Sequence, residues 1–187
     1  MVSEDQWVRK TVNQMEENMH RRTLLLTIAS LTIGLIGDRI YAEEHNDPAL
    51  IKSMADAKVT LQEGLTAAAQ QGKPISAKFE LEDGKLQLSV YTENAGKFSE
   101  VIVDHTTGKV AKTEAITEGE DLTAAKSQSA AMEKVKTNLK TAVDKSAAQS
   151  PGSRAVSVIP TLKGEHAVAS VTFITGQEFK SVEQPLE

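Results

Sequence analysis

Residues 74–113, PISAKFELEDGKLQLSVYTENAGKFSEVIVDHTTGKVAKT, decide the fold. Ile75, Ala77, Phe79 and Leu81 alternate with Ser76, Lys78, Glu80 and Glu82. This is the period of two that a half-buried strand requires, because successive side chains leave a strand on opposite faces. Asp83-Gly84 follows, a pair suited to the two-residue turn of a hairpin. Leu86, Leu88 and Val90 then alternate with Gln87, Ser89 and Tyr91. Asn94-Ala95-Gly96 predicts a second turn, and Phe98, Val101 and Val103 a third strand. Thr107-Gly108 predicts a third turn, and Val110 opens a short fourth strand that fades by Ile116. The expectation is an antiparallel meander.

Upstream, Asp47-Pro48 has the chemistry of a helix start, a side-chain cap followed by a ring already set to helical φ. Leu50, Met54, Ala57, Leu61, Leu65 and Ala68 recur at helical spacing, so helix is expected over most of 48–71. Thr60 and Glu63 fit a capping box, which predicts a break and restart near Thr60. Gly64 weakens the middle by about 1 kcal/mol against Ala, and Gly72-Lys73-Pro74 ends the helix. A helix followed by a meander must lay its apolar stripe on one sheet face, leaving the other wet or free for a partner.

The order helix, Gly72, strand, Asp83-Gly84 hairpin, strand, Gly96-Lys97 turn, then Val103-Asp104-x-x-Thr107-Gly108-Lys109-Val110 resembles the PepSY domain family over about residues 57–113. That family occurs in propeptides of secreted metallopeptidases and in bacterial envelope proteins. Tyr91 lies in the strand where the family often carries an aromatic residue. The resemblance implies an α+β, cystatin-like unit, a helix packed on a 3–4-stranded antiparallel sheet, here residues 43–116. It also implies a non-catalytic binding role that can restrain a peptidase.

Residues 113–120 form a polar connector, and Leu122, Ala125, Met132, Val135, Leu139 and Val143 then hold the spacing of one long helix ending near Ala148. Glu120-Asp121 suit its positive N-terminal end. Ala155, Val156, Val158 and Ile159 predict a strand ending at Pro160. Val168, Val171 and Phe173 predict the next, and Phe179 and Val182 the last. Gly164 falls where Gly84 does, at an offset of 80 (164 less 84), and one inserted residue brings Gly176–Val182 onto Gly96–Val101. Residues 117–187 therefore read as a degenerate second PepSY-like unit that stops before any counterpart of Asp104 or Thr107-Gly108-Lys109. The two units either stack or join their sheets edge to edge.

Composition narrows the functions. With 40% hydrophobic and 25% charged residues the chain is globular, and with 4% aromatics its core is small and aliphatic. A net charge of −5 argues against nucleic acid as a partner. The lack of cysteine excludes disulfides and thiolate chemistry. Residues 19–42 carry His20-Arg21-Arg22, an uncharged apolar core over Thr23–Gly37 and a cleavage site after Ala42, the pattern of a signal peptide. An uncleaved anchor in the inner membrane is the alternative. Residues 1–18 read as an overcalled extension, with translation starting at Met19 or Met15; the alternative, a start at Met1, makes them a short cytoplasmic amphipathic tail ahead of an anchor. The expected compartment is periplasmic or extracellular.

No hydrolase elbow, metalloprotease helix, phosphate loop or dinucleotide fingerprint occurs. Asp104-His105 offers two metal-compatible groups, yet an Asp before Thr-Thr-Gly more simply caps a turn, and a metal site needs three or four ligands. No catalytic residue, metal or cofactor is assigned. The leading expectation is a non-catalytic envelope protein binding a protein or peptide, with Tyr91, Asp104, His105, Thr107 and Lys109 as the candidate surface. The alternative is a small-ligand or metal carrier using the groove between the two units.

Overall fold

The computed structural model describes residues 47–133 and 135–187. The segments read above as an extension and as a signal or anchor lie outside them. Among the described residues no helix is long and apolar enough to cross a membrane. Among the described residues the fold is α+β, four helices and a seven-stranded antiparallel sheet. Helix α1 (Pro48–Ser53) runs into a 3-10 turn, Met54–Asp56. Helix α2 (Leu61–Ala68) follows, then strands β1 (Lys73–Glu82), β2 (Lys85–Asn94), β3 (Lys97–Val103) and β4 (Val110–Ile116). Helices α3 (Gly119–Glu133) and α4 (Leu139–Ala148) lead to β5 (Arg154–Lys163), β6 (His166–Thr175) and β7 (Glu178–Pro185). The strand order is β4-β3-β2-β1-β5-β6-β7.

The first helical region breaks where its caps require. Asp47 accepts from the Ala49 amide at 2.7 Å. The Thr60 capping box is complete, its hydroxyl accepting from the Glu63 amide while Glu63 accepts from the Thr60 amide. All six residues of the apolar stripe, Leu50 through Ala68, are buried.

Register assigns the two sheet faces. Ala77 pairs with Val90, Phe79 with Leu88, Val90 with Val101 and Ala77 with Val158, so these share the first face. Ser76 pairs with Tyr91, Tyr91 with Glu100 and Ser89 with Ile102, so these share the second. Phe98 pairs with Glu93 and thus lies opposite to Val101, its expected companion. Helices α2 and α4 lie side by side on the first face, joined by a Gln62–Asp144 hydrogen bond of 3.2 Å. Their Leu61, Leu65, Leu139 and Val143 meet Phe79, Leu88, Val158 and Val171 in the core.

The long helix expected over 122–148 is two helices on opposite faces. Helix α3 lies across the second face, where Gln128 accepts from the buried Ser76 hydroxyl at 2.7 Å. Its 15 residues span about 22 Å. Along its length it packs against β2, β1, β5 and β6. The chain then rounds the end of the sheet, and Asn138 caps α4 by accepting from the Thr141 amide. Val135, Thr137 and Asn138 favour this break, since β-branched residues and Asn are weaker helix formers than Leu or Lys. The second face is therefore not left wet throughout: α3 covers its centre, and the parts over β2–β4 and over β7 stay open.

The three strands after α4 follow the geometry of β1–β3 at one constant offset, 81 (158 less 77). Ser76↔Tyr91 corresponds to Ser157↔Thr172, Val90↔Val101 to Val171↔Val182, and both first strands carry a bulge beside the serine. The offset of 80 and its inserted residue are thus corrected. Gly164 stands in the place of Asp83 and Gly176 in that of Ala95, and all four have positive φ. The glycines sit one place earlier in the later turns, which misled a glycine-to-glycine alignment. Pro185 and Leu186 occupy the places of Asp104 and His105, so these two positions do have counterparts. The Leu186 carbonyl accepts from the amides of Lys136 and Thr137, as the His105 carbonyl does from Lys58 and Val59.

The two strand triplets join edge to edge through β1 and β5. Strand β5 does not stop at Pro160 but continues to Lys163, pairing with β6 throughout. The β1–β5 ladder is confined to Ala77↔Val158 and Lys78↔Ser157, and Pro74 and Pro160 lie beyond it, where no ladder hydrogen bond is asked of them.

Candidate functional site

The five candidate residues occupy two separate places. Asp104, His105, Thr107 and Lys109 build the turn between β3 and β4. One Asp104 carboxylate oxygen accepts from the Thr106 hydroxyl at 2.6 Å and from the amides of Thr106 and Thr107 at 2.9 and 2.8 Å. These bonds, the Thr106 hydroxyl first, hold the carboxyl well below its ordinary range. The Asp104 amide donates to the Lys109 carbonyl and its carbonyl accepts from Gly108. The His105 carbonyl receives the Lys58 and Val59 amides just ahead of the α2 cap, while its ring Nδ1 is buried without a hydrogen-bond partner. The turn thus fixes the entry to α2. Among the described residues no group of three or more His, Asp or Glu is placed to hold a metal ion.

Tyr91 lies on the second face, in the open part over β2–β4. Lys78 Nζ stands 6.0 Å from its ring centroid and pairs with Glu80 at 2.6 Å. Across β3, Glu100 accepts from Gln87 Nε2 at 3.2 Å, and the same amide donates to Ser89 at 2.9 Å. Burial raises the Tyr91 hydroxyl above its ordinary range against the opposing pull of Lys78, so it stays a protonated donor. Burial also raises Glu100, reinforced by the Glu80 carboxylate. Phe98 and Ile102, half-buried, share this surface. At its margin β4 ends the sheet, carrying an exposed Lys112–Glu114 pair at 2.7 Å. The arrangement sets hydrogen-bond donors, acceptors and apolar shoulders beside a strand edge that is unpaired among the described residues.

Several participants escaped the sequence reading. Lys78 and Glu80 had a signal, their alternation on the polar side of β1, whereas Glu100 meets Tyr91 only through the register of β2 with β3. Arg154 had none. Its guanidinium donates to the carbonyls of Met54, Ala57 and Val59 at 2.8, 2.7 and 3.1 Å, tying the segment before α2 to β5 across the ring of Phe79. His166 is exposed at the start of β6, with Nδ1 2.6 Å from the Glu187 carboxylate.

Comparison with known proteins finds no matching family model, no matching curated protein and no matching solved structure.

Proposed function

We propose that this chain is an exported, non-catalytic bacterial envelope protein that binds an extended polypeptide, with a peptidase as the partner class. In this reading residues 43–116 form a PepSY-like, cystatin-like unit, and residues 117–187 form a degenerate second one that shares its sheet. One observation carries the binding role: β4 ends the sheet beside the half-buried surface of Tyr91, Glu100 and Ile102. An unpaired strand edge next to side-chain pockets is how extended peptides are added to sheets. The exposed charges of β4 suit this use, since they guard against unselective pairing.

Amide hydrogen exchange of the full chain, with and without a secreted metallopeptidase from the same organism, tests it. Added protection across Val110–Ile116, together with slowed peptidase turnover, supports the proposal. Unchanged exchange there and full peptidase activity at saturating protein refute it. A small-ligand carrier is the second reading, favoured by an apolar groove where α2 meets the α3–α4 connection.

A further inference from the structure

The groove holds about 370 Å³, at the low end of the roughly 300–1,000 Å³ usual for small-molecule sites. It is lined by Leu65 of α2, Ala69 just past that helix, Pro74, Met132, Val135 and Leu139. Three lysines stand around it: Lys73, Lys136 and Lys140. Among the described residues no carboxylate lines it, although the chain carries an acidic excess overall. Lys73 is tied back to the Met132 carbonyl at 2.7 Å and Lys140 to Asp144 at 2.8 Å. Lys136, exposed at the rim, makes no ion pair among the described residues.

Apolar walls alone would take any small hydrophobe. Walls of this kind under a cationic rim select a molecule with an aliphatic body and an anionic end. We infer that the groove binds a free monoacyl anion of medium chain length, its tail along Leu65, Pro74 and Met132 and its carboxylate at Lys136. The inference rests on the small-ligand reading and names the class of ligand. It places binding at the junction of the two strand triplets, away from the β4 edge.

The full-length chain is titrated with octanoate, decanoate and neutral decanol, followed by calorimetry and by methyl chemical shifts of Leu65, Met132, Val135 and Leu139. Decanoate is expected to bind at one saturable site, shifting these methyls and binding more tightly than octanoate by about fourfold for each added methylene. Lys136→Gln weakens decanoate by about threefold and leaves decanol unchanged, as an exposed charge contact allows. Ala69→Trp narrows the exposed wall and abolishes both without disturbing the core. If decanol and decanoate bind the groove equally, and Lys136→Gln changes neither, the anionic class is wrong while a carrier role survives. If no compound shifts the groove methyls, both the inference and the carrier reading fail.

Discussion

Replacing Gly64 by Ala tests whether α2 is held against the sheet or merely rests on it. An added Cβ would meet Leu88 Cδ2 at 2.5 Å and Cγ at 3.1 Å, and Leu88 is fully buried. Helix propensity alone favours the substitution by about 1 kcal/mol. Overpacking a closed core opposes it by about 1–3 kcal/mol. The contact distance decides the sign, and Gly64→Ala is expected to destabilise by about 1 kcal/mol. Leu88→Ala alone costs about 3 kcal/mol through the cavity it leaves. In that background the new methyl enters vacant space, so Gly64→Ala now stabilises by about 1 kcal/mol. The cycle yields a coupling near 2 kcal/mol. Urea unfolding followed by circular dichroism, with an unchanged m value, measures all four chains. A Gly64→Ala protein more stable than the parent would refute the reasoning, because α2 would then be free to ride away from Leu88.

Two carboxylates should shape the acid limb of stability in opposite senses. Asp104 is lowered in the folded state, so its contribution is present above the ordinary value of 3.8 and drains away as pH falls below it. Asp104→Asn should flatten the loss of melting temperature below about pH 4, and an unaltered acid limb would count against the turn bonds. Glu100 is raised by burial, so ionising it costs stability as pH rises through and beyond 4.5. Glu100→Gln, which keeps an acceptor for Gln87, should raise the melting temperature at neutral pH, with the gain fading in acid; a gain persisting at about pH 3 would contradict the burial argument. Arg154→Ala removes three charge-assisted bonds at a partly solvated site and should cost about 2 kcal/mol in the same urea assay. Arg154→Lys should recover less than half, since one ammonium cannot fork across three carbonyls, and full recovery would mean that charge rather than geometry is at work.

The locally determined parts of the fold were legible in the sequence. Period two gave β1 and β2, Asp83-Gly84 gave their hairpin, and Thr60 with Glu63 gave the restart of α2, because each is settled by residues within a turn or two. The helix over 122–148 misled, since Leu122, Met132, Val135 and Leu139 keep one periodicity although the two halves bury against opposite faces. Nothing local reports that the chain must round the end of the sheet between them. The candidate site divided in the same way. Asp104 is visible as a turn residue, whereas the Tyr91–Glu100 neighbourhood depends on register between strands. The Arg154 clamp joins residues about a hundred positions apart, and only the folded chain brings them together.

In the β1–β5 ladder, Ala77 faces Val158, the residue at its own place in the other triplet. A contact in which a position meets its own equivalent is the geometry of a two-fold symmetric dimer, here contained in one polypeptide. The stretch from Thr117 through α3 then does the work of protein concentration. It holds the two partners together as a tether does, making their association intramolecular. A dimer built on so short a ladder would come apart on dilution. This chain keeps its central seam at any concentration.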